Sequence, residues 1–360
     1  MRQMQKRCPS TGQRYASQRD SSRTSRVAGI AVSLVLGMVI SLPAISAKGS
    51  SLSTPVSRSH SLPQSWVPIL TAVHPSNRSG FAMAYDWAGQ YIVGFGGVGP
   101  NGRLFTETWV FKGGNWSKLP LKIHPPPDVS PYLAYDSATK RIIEFGGIDS
   151  DVTLAPTALN QTWAFSGGNW TRLHPVHSPA HPLYGLMGYD AGNRRVVLYA
   201  VFLGPNRTSS TETWTYANGD WRHLVGAGGP PSYFSGLAYD PSYHGLILGD
   251  NSNKSFKSWV LRNGSWNHLN ITNAPSNVSK ASGLGMVYDP RYHVLLLVVS
   301  FSHSPETTWT LASGNWTKAS PSTSPPSRFG FGMAFDAIDG YVVQFGGYDS
   351  GVAFDDTWAF

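Results

Sequence analysis
"ETWVFKGGNW", residues 107–116, sets two tryptophans seven residues apart, one on each side of a Gly-Gly-Asn turn. The phrase recurs as "QTWAFSGGNW" (161–170), "ETWTYANGDW" (212–221), "KSWVLRNGSW" (257–266) and "TTWTLASGNW" (307–316), and it starts a sixth time as "DDTWAF" (355–360), where the chain stops. Runs of aromatic and β-branched residues around a tight Gly/Asn turn read as a β-hairpin. The first tryptophans, Trp109, Trp163, Trp214, Trp259, Trp309 and Trp358, stand 45 to 54 residues apart. That period marks propeller blades or a related array.

Each hairpin follows two further strand signals in a constant order. A small-residue run ends in aromatic-Asp ("AMAYD" 82–86, "YLAYD" 132–136, "LMGYD" 186–190, "GLAYD" 236–240, "GMVYD" 285–289, "GMAFD" 332–336). After a short turn comes a β-branched run ("YIVGFGG" 91–97, "RIIEFGG" 141–147, "RVVLYAV" 195–201, "GLILGD" 245–250, "VLLLVVS" 294–300, "YVVQFGG" 341–347), and a variable loop then leads to the hairpin. Each unit therefore predicts four strands, and the chain is all-β.

The sixth hairpin lacks its second tryptophan. One unassigned tryptophan stands upstream, Trp66 in "QSWVPIL", and its 43-residue distance to Trp109 falls within the 38 to 47 residues that separate every other second tryptophan from the next first one. The strand around Trp66 is thus expected to complete the last blade, closing six blades over residues 65–360 and removing the open edge of a linear array. Twelve of the 13 tryptophans become structural, packing between neighbouring blades, and Trp87 alone falls outside the pattern.

A β-branched strand ending in Gly-Gly, then Thr-Trp, then Asn-Trp resembles the kelch repeat, as in the propeller of galactose oxidase and in many kelch interaction modules. The Gly-Gly pair stands at Gly96-Gly97, Gly146-Gly147 and Gly346-Gly347 and is lost in units three to five. The resemblance implies a six-bladed kelch-like β-propeller but no particular activity, because the fold hosts many functions. Galactose oxidase chemistry requires a cysteine cross-linked to a tyrosine, and the only cysteine is Cys8. The sialidase Asp-box, Ser-x-Asp-x-Gly-x-x-Trp, is also absent.

The net charge of +8 is concentrated at the N-terminus. Residues 1–26 carry seven of the 28 basic side chains against one acid, Asp20, so 21 basic residues face 19 acidic ones in the remainder. Nucleic acid is therefore not an expected partner. The basic segment precedes sixteen uncharged residues, "VAGIAVSLVLGMVISL" (27–42), then "PAISA" (43–47) and a Ser-rich stretch (48–64). Residues 1–47 read as a signal peptide or an N-terminal membrane anchor and 48–64 as a linker, with the propeller exported to the cell surface or beyond. Any membrane contact is expected through that N-terminal segment alone, and the propeller is expected to be a monomer without a cofactor.

Loops alternate between the two faces of such a ring. The turns after aromatic-Asp and the Trp-Trp hairpins are short and uniform, whereas the loops between second and third strands and the Pro-rich crossings vary, so recognition is expected on their face. Eight residues before each strand-ending Asp lie Arg78, Asp128, Pro182, Ser232, Ala281 and Arg328. The two arginines and Asp128 fall in blades six, one and two, which adjoin once the ring closes and which keep Gly-Gly; their loops add Arg103, Asp149, Asp151 and Asp349. Guanidiniums beside carboxylates suit an acidic or hydroxyl-rich ligand. Alternatively, Arg78 and Arg328 bond neighbouring carbonyls and anchor the entering strand.

Asp86, Asp136, Asp190, Asp240, Asp289 and Asp336 each begin a short turn and are expected to cap it rather than to catalyse. His74, His124, His174, His177 and His181 cluster near prolines but fail the repeat register, so no metal site is expected. Ten Asn-x-Ser/Thr sequons, at Asn77, Asn115, Asn160, Asn169, Asn206, Asn253, Asn263, Asn270, Asn277 and Asn315, exceed the roughly three expected from composition and are candidate N-glycosylation sites on an exported protein. The expected function is recognition of a glycan or protein partner at the cell surface. Glycan modification at the channel mouth and an architectural surface-layer role are the alternatives.

Overall fold
The computed structural model describes residues 65–147, 160–203, 208–230, 234–252 and 254–360. Asp149, Asp151, Ser232, Asn206, Asn253, the leader and the linker lie outside the described residues. Six antiparallel four-stranded sheets follow one another as blades of a β-propeller. Blade 1 runs Ala82–Asp86, Tyr91–Phe95, Thr108–Lys112 and Asn115–Leu119 from the inside outward, with each strand paired to the next. Among the described residues no helix is long and apolar enough to cross a membrane.

Blade 6 is assembled from both ends of the propeller. Its sheet order is Gly332–Asp336, Tyr341–Phe345, Thr357–Ala359 and then Val67–Ile69, with Pro68 opposite Trp358. Phe360 and Trp66 are both buried, their rings 5.1 Å apart, and they pack with Leu296, Phe331 and Phe335. The missing second tryptophan is therefore Trp66.

The physical reason for the repeated phrase is a hydrogen bond between blades. In Asn115–Leu119, Asn169–Leu173 and Ser265–Leu269 the tryptophan is the one buried residue of the outermost strand. Its indole N–H donates to the threonine preceding the first tryptophan of the previous blade: Trp116 to Thr357, Trp170 to Thr108, Trp221 to Thr162, Trp266 to Thr213 and Trp66 to Thr308, at 2.8–3.0 Å. Each bond thus ties the rim of one blade to the third strand of its neighbour. The first tryptophans pack in apolar clusters that span neighbouring blades, and the indole N–H groups of four of them bond within their own blade. Trp109, Trp163, Trp214 and Trp358 donate to Glu107, Gln161, Glu212 and Asp356, two residues earlier in the chain.

One junction breaks the rule. Where five blades have threonine, blade 4 has Ser258, and its hydroxyl and the Trp316 indole N–H are both buried without a partner. The added methyl of threonine restricts χ1 and holds the hydroxyl in place. Ser258→Thr is expected to restore the bond and raise stability by about 1 kcal/mol in urea unfolding, with an unchanged m-value.

The turns behave as expected. Asp86, Asp136, Asp190, Asp240, Asp289 and Asp336 accept from the backbone N–H of Ala88, Ala138, Asn193, Ser242, Arg291 and Ile338. The fourth residue after each Asp is left-handed, at Gln90, Lys140, Arg194, His244, His293 and Gly340.

Gly-Gly divides the ring into two halves. In blades 1, 2 and 6 both glycines have positive φ, from 68° to 117°, and the inner two strands are five residues long. In blades 3, 4 and 5 the inner strands lengthen to Pro182–Asp190, Phe234–Asp240 and Gly283–Asp289, and the second strands to Arg195–Leu203, Gly245–Asp250 and Val294–Phe301. The turn also welds blades together. Gly97 N–H donates to the Asp128 carbonyl at 3.1 Å, and Gly347 N–H donates to the Arg78 carbonyl at 2.8 Å. A backbone collar joins the same three blades, Gly80 N–H donating to Gly330 O and Ser130 N–H to Gly80 O.

Candidate functional site
The entry residues of blades 1 and 6 are fully buried arginines, Arg78 and Arg328. Arg78 donates from Nε to Ser76 O, from Nη1 to Gly96 O and from Nη2 to Glu107 at 2.8 Å, and it lies 3.9 Å over the Phe105 ring. Arg328 repeats the pattern with Pro326 O, Gly346 O, Asp356 and Phe354. Both guanidiniums thus hold the Gly-Gly turn, the strand entry and the end of the variable loop together. This is the geometry of strand anchors, the alternative to direct ligand contact.

The loops that rest on these anchors reach outward. In blade 1 Val98 bridges Ser79 and Leu104, and the exposed Arg103 lies on that loop. In blade 6 Tyr348–Asp349 pairs with Val352–Ala353, and Phe329 meets Tyr348 edge to face with ring centroids 5.3 Å apart. Arg78 N–H donates to Phe354 O, so the two loops flank one entry strand. Of the sequence-derived site, the structure places the exposed Arg103 and the half-buried Asp349 on these two loops, with Arg78 and Arg328 buried at their bases.

Asp128 occupies the corresponding slot of blade 2, buried at 1% exposure. A Cβ on Gly147 would lie 2.3 Å from its Oδ2, just as one on Gly97 would meet Arg78 Cδ and one on Gly347 would meet Arg328 Cδ. Beside it is Glu144, also buried, with Asp128 Oδ1 and Glu144 Oε2 both unpartnered. Burial raises both carboxyls well above their usual range, and the proximity of Asp128 raises Glu144 further. Sequence reasoning missed Glu144, although a carboxylate between Ile143 and Phe145 of "RIIEF", in register with Gln344 of "YVVQF", was a visible signal.

Gln344 Nε2 donates to both carboxyl oxygens of buried Glu306, at 3.1 and 3.0 Å. Burial lifts Glu306 to about 8 even though Arg328 and the Gln344 bond pull it down. Glu107 moves the other way: burial would raise it, but hydrogen bonds from Lys118, Arg78 and Trp109 bring it to about 2. An acid whose folded pKa is raised holds its proton longer in the folded state, so stability falls as pH rises from about 4.5 to about 8, by up to about 1.4 kcal/mol per pH unit for one group. Glu306→Gln should remove that share: the drop in urea midpoint between pH 5 and pH 8 should be smaller than in the parent chain. An equal drop would show that Glu306 keeps an ordinary pKa.

The histidines are engaged locally. His74 and His124 bond their own proline carbonyls, and His177 pairs with Asp220 at 2.8 Å beside a groove of about 500 Å³ lined by Trp214, Arg222 and His223. Among the described residues no three His, Cys, Asp or Glu side chains converge as metal ligands would. Asn115, Asn160, Asn169, Asn263, Asn270 and Asn277 are exposed, whereas Asn77 and Asn315 are half-buried.

No family model matches the chain, and no curated protein does either. Among solved structures it is similar to a Trypanosoma rangeli sialidase, with a TM-score of 0.53 and 8% identity over 80% of this chain and 55% of that one. It is also similar to XC5397 of Xanthomonas campestris, described as a gluconolactonase, with a TM-score of 0.49 and 11% identity over 79% of this chain and 86% of that one. Identities this low carry the fold alone. By its blades and its closure, the chain is a six-bladed β-propeller.

Proposed function
We propose that this propeller is an exported, kelch-like recognition module that binds a glycan on its loop face, across blades 6 and 1. The observation that carries the reading is the composition of that mouth: an exposed guanidinium on Arg103, a half-buried carboxylate on Asp349 and the half-buried Phe329–Tyr348 pair, on loops held by buried arginines. Sugar hydroxyls pair with a guanidinium and a carboxylate, and aromatic rings cover the apolar faces of sugars. Export rests on the basic-then-apolar N-terminal sequence, and the exposed sequons are its candidate modification sites.

The test is glycan-array capture by the full chain. Arg103→Ala and Asp349→Ala should each weaken capture by roughly tenfold or more, the scale of a charge-assisted hydrogen bond, with the melting temperature unchanged. Capture that ignores both substitutions would overturn the reading. Release of new reducing ends from bound glycans would replace recognition by glycan modification, and capture of a protein but no glycan would replace the ligand class.

A further inference from the structure
Three blades present the same backbone frame and fill it with opposite charge. In blades 1 and 6 the frame consists of a left-handed Gly-Gly turn, an entry residue packed over its second glycine, and an acceptor that also receives the first tryptophan's N–H. The occupant is a guanidinium, donating to Gly96 O and Glu107 in one blade and to Gly346 O and Asp356 in the other. Blade 2 keeps the turn, with φ of 68° at Gly146 and 117° at Gly147, and it keeps the acceptor, Gln161 receiving Trp163 Nε1–H at 3.0 Å.

The donor is lost, and the acceptor is a neutral amide where the sister blades have a carboxylate. Asp128 stands where the arginines stand and is shorter by the whole guanidinium, while Glu144 adds a second buried carboxyl. Neither forms an ion pair with a described residue, and the buried Tyr132 hydroxyl, near Asp128, makes no hydrogen bond of good geometry. The sequence that follows, 148–159, contains no lysine, arginine or histidine. Two carboxyls removed from water without a positive partner either keep their protons or need a cation to join them, since burying them ionised and unpaired is costly. By repeat register, Gln161 and the Gly146 carbonyl stand where the sister blades set the acceptors that meet N–H donors.

We propose that blade 2 carries a cation site, formed by Asp128 and Glu144 with Gln161 and the Gly146 carbonyl as further acceptors, that takes a guanidinium group supplied by a ligand. The site lies within blade 2 and does not depend on glycan binding across blades 6 and 1. A guanidinium fits better than a metal ion because the sister blades bond one in the same frame through planar N–H donors. A carboxyl pair facing it also replaces the single carboxylate that Arg78 and Arg328 each meet.

The experiment titrates the full chain with methylguanidinium, with calcium in a parallel arm and potassium as the ionic-strength control, and reads the melting temperature. Methylguanidinium should raise it saturably, by roughly 2 °C at ten times its Kd, and the double variant Asp128→Asn, Glu144→Gln should lose the response. Asp128→Arg, which restores the residue of the sister blades, should melt higher than the parent chain and no longer respond. Should the double variant not fold, Asp128→Arg still decides the matter. No saturable rise in the parent, a response to calcium but not to methylguanidinium, or a lower melting temperature for Asp128→Arg would each overturn the proposal.

Discussion

Trp66→Ala should lower the unfolding free energy by about 3–5 kcal/mol, the range for truncating a buried tryptophan, with a further contribution from the lost bond to Thr308. The reason is positional. Trp66 is 1% exposed, packs on Phe360 and carries the strand that closes the ring, so its loss loosens both ends of the propeller at one seam. Urea unfolding followed by circular dichroism measures the effect. Trp87→Ala is the control, because Trp87 is only partly buried and ties no blade to the next through a threonine. A Trp66 variant no less stable than the Trp87 variant would mean that the N-terminal strand adds nothing to the ring.

Arg78→Ala and Arg328→Ala should each destabilise the fold by about 3 kcal/mol or more, and any loss of ligand capture should track the loss of folded protein. Each substitution removes a fully buried guanidinium and strands its acceptors, Gly96 O and Glu107 in one blade and Gly346 O and Asp356 in the other. Direct ligand contact predicts the reverse, weakened capture at an unchanged melting temperature. Both quantities measured on the same two proteins separate these roles. The arginines also carry Phe105 and Phe354 at the ends of the variable loops, so partial disorder of Arg103 and Asp349 should accompany the stability loss.

The two halves of the ring give these effects a common cause. Blades 6, 1 and 2 are joined by Gly-Gly turns, a backbone collar and buried charges, whereas blades 3 to 5 replace those devices with longer, more apolar strands such as Val294–Phe301. Polar anchoring permits short strands and outward loops on one half. Extended pairing, together with Trp–Thr bonds such as Trp266 to Thr213, closes the other half.

Much of the architecture was legible in the residues themselves. The spacing of the Trp pairs, the aromatic-Asp endings and the orphan Trp66 determined six four-stranded blades and their closure, because strand periodicity and turn chemistry are local and repeat in register. The role of the threonine in "TW" was not legible, since its partner Trp lies 59 to 62 residues away in the blades joined by Trp170 and Trp221, and 242 residues away at the seam. Arg78 and Asp128 were equally conspicuous as charges at one register position. Whether such a charge faces a ligand or a carbonyl depends on which side of a blade the side chain turns to, and on what the neighbouring blade brings there. Only the tertiary structure decided that: it buried Arg78 and Arg328 against their own turns and left Asp128 beside Glu144, because burial and pairing arise between blades and not within a repeat.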